Sequence, residues 1–212
     1  MADDPLKIWE TLFQRALYLL DAVEASGNHI PRWSFGGGTV LMLKHRHRFS
    51  KDIDIFVPDP QVLGHLTPRL NPVAESLTSH YDEHGDSIKL WFPEGEINFV
   101  ASAPLTAHPC VVEVLCGREV MVETSTEIVA KKVWHRGAQF TARDIFDLAM
   151  VAEKEPASLR EIKPILRDRR VAMLERITKN EASLRETFEA LDVLDYRRSY
   201  DECVELVKQT LG

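Results

Sequence analysis

The stretch Trp33-Ser-Phe-Gly-Gly-Gly-Thr-Val-Leu-Met-Leu43, followed by Arg48-Phe-Ser-Lys-Asp-Ile-Asp-Ile-Phe-Val57, decides the fold. A short apolar strand runs into a glycine turn, and a helix of about ten residues opens from that turn. A second strand then carries Asp52 and Asp54 two positions apart. Side chains alternate faces along a strand, so both carboxylates point one way, with Cα atoms roughly 6.6 Å apart. Ile53 and Ile55 point the other way, toward a core. Asp is disfavoured in strands, so two of them in an otherwise apolar strand call for a ligand. A divalent metal ion is the best one.

Gly36, Gly37 and Gly38 let the backbone turn sharply and approach a ligand with no Cβ in the way. The helix that follows, entered through Thr39, offers unpaired N–H groups and the positive end of its dipole to phosphate. No Gly-Lys-Ser/Thr closes the turn, so it is not a Walker A loop, and a dinucleotide fingerprint has different spacing. Glycine turn, helix, then Asp-x-Asp on the next strand resembles the core of the DNA polymerase β-like nucleotidyltransferases. The fuller string, Gly-Gly-Thr-Val-Leu followed by Arg48-x-Ser50-x-Asp52-Ile-Asp54-Ile-Phe, is similar more narrowly to the AbiE-type (AbiEii/AbiGii) toxin nucleotidyltransferases.

The 212 residues suffice for one large domain or a domain with a helical appendage. At 44% apolar, the chain can bury a substantial core. A net charge of −7 argues against a protein that coats nucleic acid non-specifically. Cys110, Cys116 and Cys203 have no metal-ligand spacing and read as reduced, buried thiols. No apolar run approaches the ~18 residues of a membrane span, and the N-terminus lacks the pattern of a secretory signal. The expected compartment is the cytoplasm.

From Pro5, apolar residues Ile8, Leu12, Ala16, Leu19, Leu20 and Val23 recur at helical spacing until Ser26-Gly-Asn28. A proline-interrupted helical stretch is expected over 61–79. Strands are expected at 87–92, 96–100, 110–115 and 119–123, with Pro93-Glu-Gly95 as a hairpin turn. The sheet reads as mixed, opening with one right-handed strand–helix–strand unit and continuing with hairpins. Helices follow at 142–154, 157–177, 180–192 and 199–211. The architecture is α+β: a nucleotidyltransferase domain with its N-terminal helix over 1–140, and a helical region over 141–212.

In the superfamily a third carboxylate often stands on a strand beside the Asp-x-Asp strand. Asn98 occupies that position here, with Glu96 on the same face as its substitute. Thr124-Ser-Thr-Glu127 reads as a capping box. Glu127-Ile-Val-Ala-Lys-Lys132-Val matches the toxin family's Glu-x-x-Ala-x-Lys-Leu pattern. That match gives Lys132 the role of neutralising triphosphate charge, with Lys131, turned about 100° away, as its control. Thr141-Ala-Arg-Asp144-Ile-Phe-Asp147-Leu is similar to the family's Arg-Asp-x-x-Asp-Leu signature, and it is equally a capping box with Asp144 at its third position. Asp144 and Asp147 share one helical face. Arg160, Lys163, Arg167, Arg169, Arg170 and Arg176 form a basic stripe, read as a solvated face or as a surface for RNA. His45 and His47, inside Lys44–Arg48, lack zinc spacing and read as phosphate-facing or plain surface.

The resemblance implies a metal-dependent nucleotidyltransferase toxin. Asp52 and Asp54 would hold Mg2+, or Mn2+ in its place. Gly36, Gly37, Gly38, Thr39, Arg48, Ser50, Lys132 and Asp147 would bind the NTP, and Asp144 would orient or deprotonate the acceptor hydroxyl. The acceptor would be a tRNA or another RNA 3′ end, with a cognate antitoxin restraining the activity. Two other readings stay open: a nucleotidyltransferase acting on a small-molecule or protein hydroxyl, and a non-catalytic nucleotide- and partner-binding module, for which Asn98 speaks.

Overall fold

A helix with an apolar stripe begins the fold, followed by the glycine turn and the sheet. The computed structural model describes residues 5–212. Residues 1–4, which open the domain expected over 1–140, lie outside it. Helix α1 (Ile8–Ala25) buries Trp9, Leu12, Phe13, Ala16, Leu19, Leu20 and Val23, the three-and-four spacing of one helical face. Strand β1 (Ser34–Gly36) passes directly into α2 (Gly37–His45), and β2 (Ile53–Val57) returns. A short α3 (Pro72–Leu77) leads into β3 (Tyr81–Glu83), β4 (Ser87–Phe92), β5 (Gly95–Ala101), β6 (Cys110–Leu115) and β7 (Arg118–Glu123). The remainder is helical: α4 (Ser125–Arg136), α5 (Ala142–Lys154), α6 (Lys163–Lys179), α7 (Glu181–Glu189) and α8 (Tyr200–Leu211).

The seven strands lie in the order β3-β4-β5-β2-β1-β7-β6. The sheet is mixed, as expected, but its opening unit differs. β1 pairs antiparallel with β2, in the register Ser34↔Phe56, Phe35↔Ile55, Gly36↔Asp54. Antiparallel neighbours need no crossover, so the right-handed rule for parallel units does not govern the α2 connection. The parallel pairs are β2 with β5 and β1 with β7. In β2 the burial alternates, with Ile53, Ile55 and Val57 inside and Asp52, Asp54 and Phe56 on the other face. Trp9, Phe13 and Phe35 stack beneath the sheet, the Phe13 and Phe35 rings 4.7 Å apart.

The expected helix over 61–79 is instead a 3-10 turn (Pro60–His65) and α3. Proline lacks an N–H and fits a first helical turn. Pro60 and Pro72 therefore each start a short element, capped by Asp59 and Asn71 respectively. β3 has no sequence signal, being three residues long with two acids. Of the cysteines, Cys203 is buried and its thiol is pushed up to about 12 by that burial. Cys116 is exposed, contrary to expectation, because it stands at φ 50° in the β6–β7 turn.

Packing divides the chain into two units: Met1–Val40, Ser50–Pro104 and Cys110–Glu123 in the first, Leu41–Phe49, Leu105–Pro109 and Thr124–Gly212 in the second. The first holds the whole sheet. In the second, α4 packs with α5 and α6. Its core includes Phe140, Phe146, Met150, Met173 and Cys203. Among the described residues, no helix is long and apolar enough to cross a membrane.

Candidate active site

In the first unit, Gly37 has φ +75°, a left-handed conformation natural to glycine. A Cβ placed on it would lie 1.9 Å from Asp54 Oδ2, and one on Gly36 2.3 Å from Glu123 Oε2. The glycines thus make room for carboxylates of the chain itself. Gly38 lies in the first turn of α2. Thr39, fully buried, donates its hydroxyl to the Asp52 carbonyl oxygen at 2.6 Å, with Ser50 Oγ 3.1 Å away. This ties the helix start to the strand that carries the acids.

Asp52 Oδ1 accepts from the Glu96 amide at 3.3 Å, and Asp54 Oδ1 accepts from Asn98 Nδ2 at 3.0 Å. Asp54 and Asn98 are register partners across the parallel β2–β5 pair. Asn98 therefore presents its donor end to Asp54, and Glu96 is engaged by Lys89, both carboxylate oxygens 3.0 Å from Nζ. Among the described residues, no group of three or more His, Cys, Asp or Glu is arranged to hold a metal. Two half-exposed carboxylates on one face still suit Mg2+, which is commonly held by one or two carboxylates plus substrate phosphates and waters. Glu123 carries no signal in the sequence. It ends β7, is buried, and accepts from Ser34 Oγ at 2.9 Å.

In the second unit, α4 and α5 bring Lys132 to two buried acids. Lys132 Nζ lies 2.8 Å from Asp144 Oδ1 and 3.0 Å from Asp147 Oδ2. Asp144 also closes the capping box: its Oδ2 accepts from the Thr141 amide at 3.1 Å and hydroxyl at 2.7 Å. Cap and ion pair thus use different oxygens of one carboxylate. Burial pushes the Asp144 carboxyl up, but Lys132 and Arg136 outweigh it and hold it below the usual range. Asp147 is held well below that range, its burial overcome by Arg48, Lys132 and His47.

The basic run Lys44–Arg48 is not an open phosphate patch. Lys44 and His45 meet Glu155, each 2.9 Å from Oε1, and Arg46 meets Asp195 at 2.8 Å. His47 and Arg48 are buried on Asp147. His47 is therefore neither plain surface nor phosphate-facing, and only the contact with Asp147 could have revealed it. Lys131 is buried too, 3.6 Å from Glu127, so it is no solvated control for Lys132. The expected Thr124 capping box is half formed. Thr124 caps, but the Glu127 carboxylate accepts from the Leu105 and Thr106 amides instead of reaching back. On α6, Arg169 lies over the Trp134 ring at 4.5 Å and Arg176 donates to the Phe140 carbonyl oxygen, while Lys163, Arg167 and Arg170, and Arg160 in the 3-10 turn before it, are exposed.

A family model described as the nucleotidyl transferase AbiEii toxin of type IV toxin–antitoxin systems matches residues 18–209. The chain belongs to the AbiEii toxin family. A nucleotidyltransferase from Helicobacter pylori superposes with a TM-score of 0.53 at 16% identity, covering 100% of this chain and 94% of that one. MenT4, a nucleotidyltransferase toxin of Mycobacterium tuberculosis, gives 0.52 at 18% identity, with 98% and 83% covered. At these identities the likeness establishes the fold. No curated protein matches. Membership of AbiEii makes this chain a nucleotidyltransferase of the toxin class, with a nucleotide substrate and an antitoxin partner.

Proposed function

We propose that this chain is a Mg2+-dependent nucleotidyltransferase toxin that transfers a nucleotide from an NTP to a hydroxyl at an RNA 3′ end, of the tRNA class. The observation that carries the reading is the pair Asp52 and Asp54 on one face of β2, with Gly37 packed against the Asp54 carboxylate. Asp52 and Asp54 are the residues that would hold Mg2+, or Mn2+, and the bound ion supplies charge neutralisation to the triphosphate. Gly37 and Gly38 open the first turn of α2, whose N–H groups suit phosphate. Thr39 and Ser50 fix that turn to β2 through their hydroxyls.

In the second unit, Lys132 serves as a cation for the phosphates. Asp144, kept ionised at neutral pH by its cations and filled by Lys132, Arg136 and Thr141, orients Lys132 toward the reacting groups, and the acceptor hydroxyl gives its proton to solvent. The freed oxygen forms its bond to the α-phosphorus as the bond to the β-phosphate bridging oxygen breaks, and pyrophosphate leaves. The toxin acts in the cytoplasm, where NTP and tRNA meet, and a cognate antitoxin restrains it. A small-molecule or protein hydroxyl is the second reading, favoured by the net charge of −7. Incubation of purified protein with each α-labelled NTP, total RNA and lysate protein tests this. Label in small RNA supports the first reading, and label in protein or metabolites alone replaces it with the second.

A further inference from the structure

Asp147 has no solvent exposure, and four donors converge on its carboxylate. Oδ1 accepts from His47 Nε2 at 2.8 Å and from Arg48 Nε at 2.8 Å. Oδ2 accepts from Arg48 Nη2 at 2.9 Å and lies 3.0 Å from Lys132 Nζ. A carboxylate offers about four lone-pair sites, so these contacts use them all. No acceptor capacity remains for a ribose hydroxyl or a base N–H, and a carboxylate does not attract phosphate. The nucleotide-binding role that the family signature suggests for Asp147 does not fit this geometry.

What Asp147 does hold is specific. Lys132 sits between it and Asp144 at nearly equal distances, and an ammonium has three N–H donors. One is donated to Asp144 and the ion pair with Asp147 holds the ammonium beside it, which leaves donor capacity for a phosphate oxygen. Without the pull of Asp147, Lys132 would turn wholly to Asp144. On the other side, Asp147 anchors the segment 46–49 through His47 and Arg48. That segment pairs with 192–195: the Phe49 amide donates to Asp192, the Leu194 amide to His47 and the Asp195 amide to Arg46, at 2.7–3.0 Å. His47 also stacks on Phe146, ring centroids 5.9 Å apart. We propose that Asp147 is a positioning residue: it touches no substrate, sets Lys132 between two carboxylates, and fixes the segment 46–49 that leads in sequence to Ser50 and Asp52. This rests on the nucleotidyl-transfer reading for Lys132.

The test is a double-mutant cycle joined to amide hydrogen exchange. Asp147→Asn is expected to lower kcat on the order of a hundredfold, the scale of an ångström-sized misplacement, with the KM for NTP within about threefold. In a Lys132→Ala background the same change is expected to cost less than about threefold, since a residue acting through another is non-additive with it. Exchange at the amides of Phe49, Leu194 and Asp195 is expected to quicken while the β2–β5 amides keep their rates. Additive losses, a raised KM with kcat unchanged, or unaltered exchange at those three amides overturns the proposal. Should Asp147→Asn not fold, Arg48→Lys keeps the charge but loses the two-pronged contact. Faster exchange at the same amides and a lower kcat then uphold the proposal, and wild-type values of both overturn it. A wild-type protein inactive with every NTP and acceptor sinks the proposed function alone, and the exchange measurement then decides the role of Asp147.

Discussion

Asp54 is bounded by Gly37 on one side and by Asn98 on the other, so a small change at this carboxylate has a legible meaning. Asp52→Ala and Asp54→Ala are expected to abolish transfer while melting within a few degrees of wild type, because each removes a half-exposed like charge from one strand face. Retained transfer in either variant, by label incorporation, contradicts the metal-holding role. At Asp144 the two oxygens separate two roles. Thr141→Ala removes the cap contact, about 1 kcal/mol, and is expected to keep activity within a few-fold. Asp144→Asn weakens the Lys132 pair as well, and is expected to lose most activity with a lower melting temperature. Equal activity in the two variants would make Asp144 a helix cap only. At this scale the acids were readable because charge inside an apolar strand is conspicuous. His47 and Glu123 were not, since their partners stand far off in the sequence, Asp147 100 residues from His47 and Ser34 89 residues from Glu123.

Elements carry a different kind of consequence. Gly37 needs both its positive φ and its missing Cβ, so Gly37→Ala is expected to destabilise by roughly 1–3 kcal/mol from backbone strain alone, with more from the clash on Asp54. Thermal melting checks it, and an unchanged melting temperature would mean the β1–α2 turn relaxes freely. On α4, Lys131 and Lys132 are both tied to acids, one to Glu127 and one to Asp144 and Asp147. Lys131→Ala is therefore expected to lower stability with kcat little changed, and Lys132→Ala to lower kcat by orders of magnitude. α5 was legible to the residue because it opens with a capping box, whereas α8, expected from 199, begins at Tyr200 with Ser199 as its cap. The α1 stripe and the 93–95 hairpin followed from periodicity and turn chemistry. The antiparallel β1–β2 pairing was not legible, since strand direction depends on which distant strand completes the sheet. Glu127 likewise had a nearer partner by pattern, yet bonds the 105–106 backbone through space.

For the whole molecule, buried ionisable groups couple stability to pH. Burial lowers the pKa of His47 and of His45 below the ordinary imidazole value, against the opposing pull of their acids. The unfolded chain then binds protons first as pH falls below about 6.5, so stability declines on acidification. Asp144 and Asp147, with depressed folded values, contribute stability that is present above about pH 4 and is lost as pH falls through those values. The melting temperature is expected to fall between pH 7.5 and 5.5, and His47→Gln to flatten that fall; an identical slope in the variant assigns the dependence to other groups. The sequence changes from strand to helical periodicity, but the discontinuous course of the two packed units was not legible in it, because 41–49 joins the second unit through contacts with 192–195 and Asp147. The central claim is transfer that depends on a metal held by Asp52 and Asp54, and one titration tests it most directly. Label transfer from an α-labelled NTP to RNA is followed against Mg2+ for the wild-type protein and Asp54→Asn. The account predicts saturable, chelator-sensitive transfer by the wild type and none by the variant at any Mg2+ concentration. Transfer that survives chelation, or that the two proteins carry out alike, would contradict it.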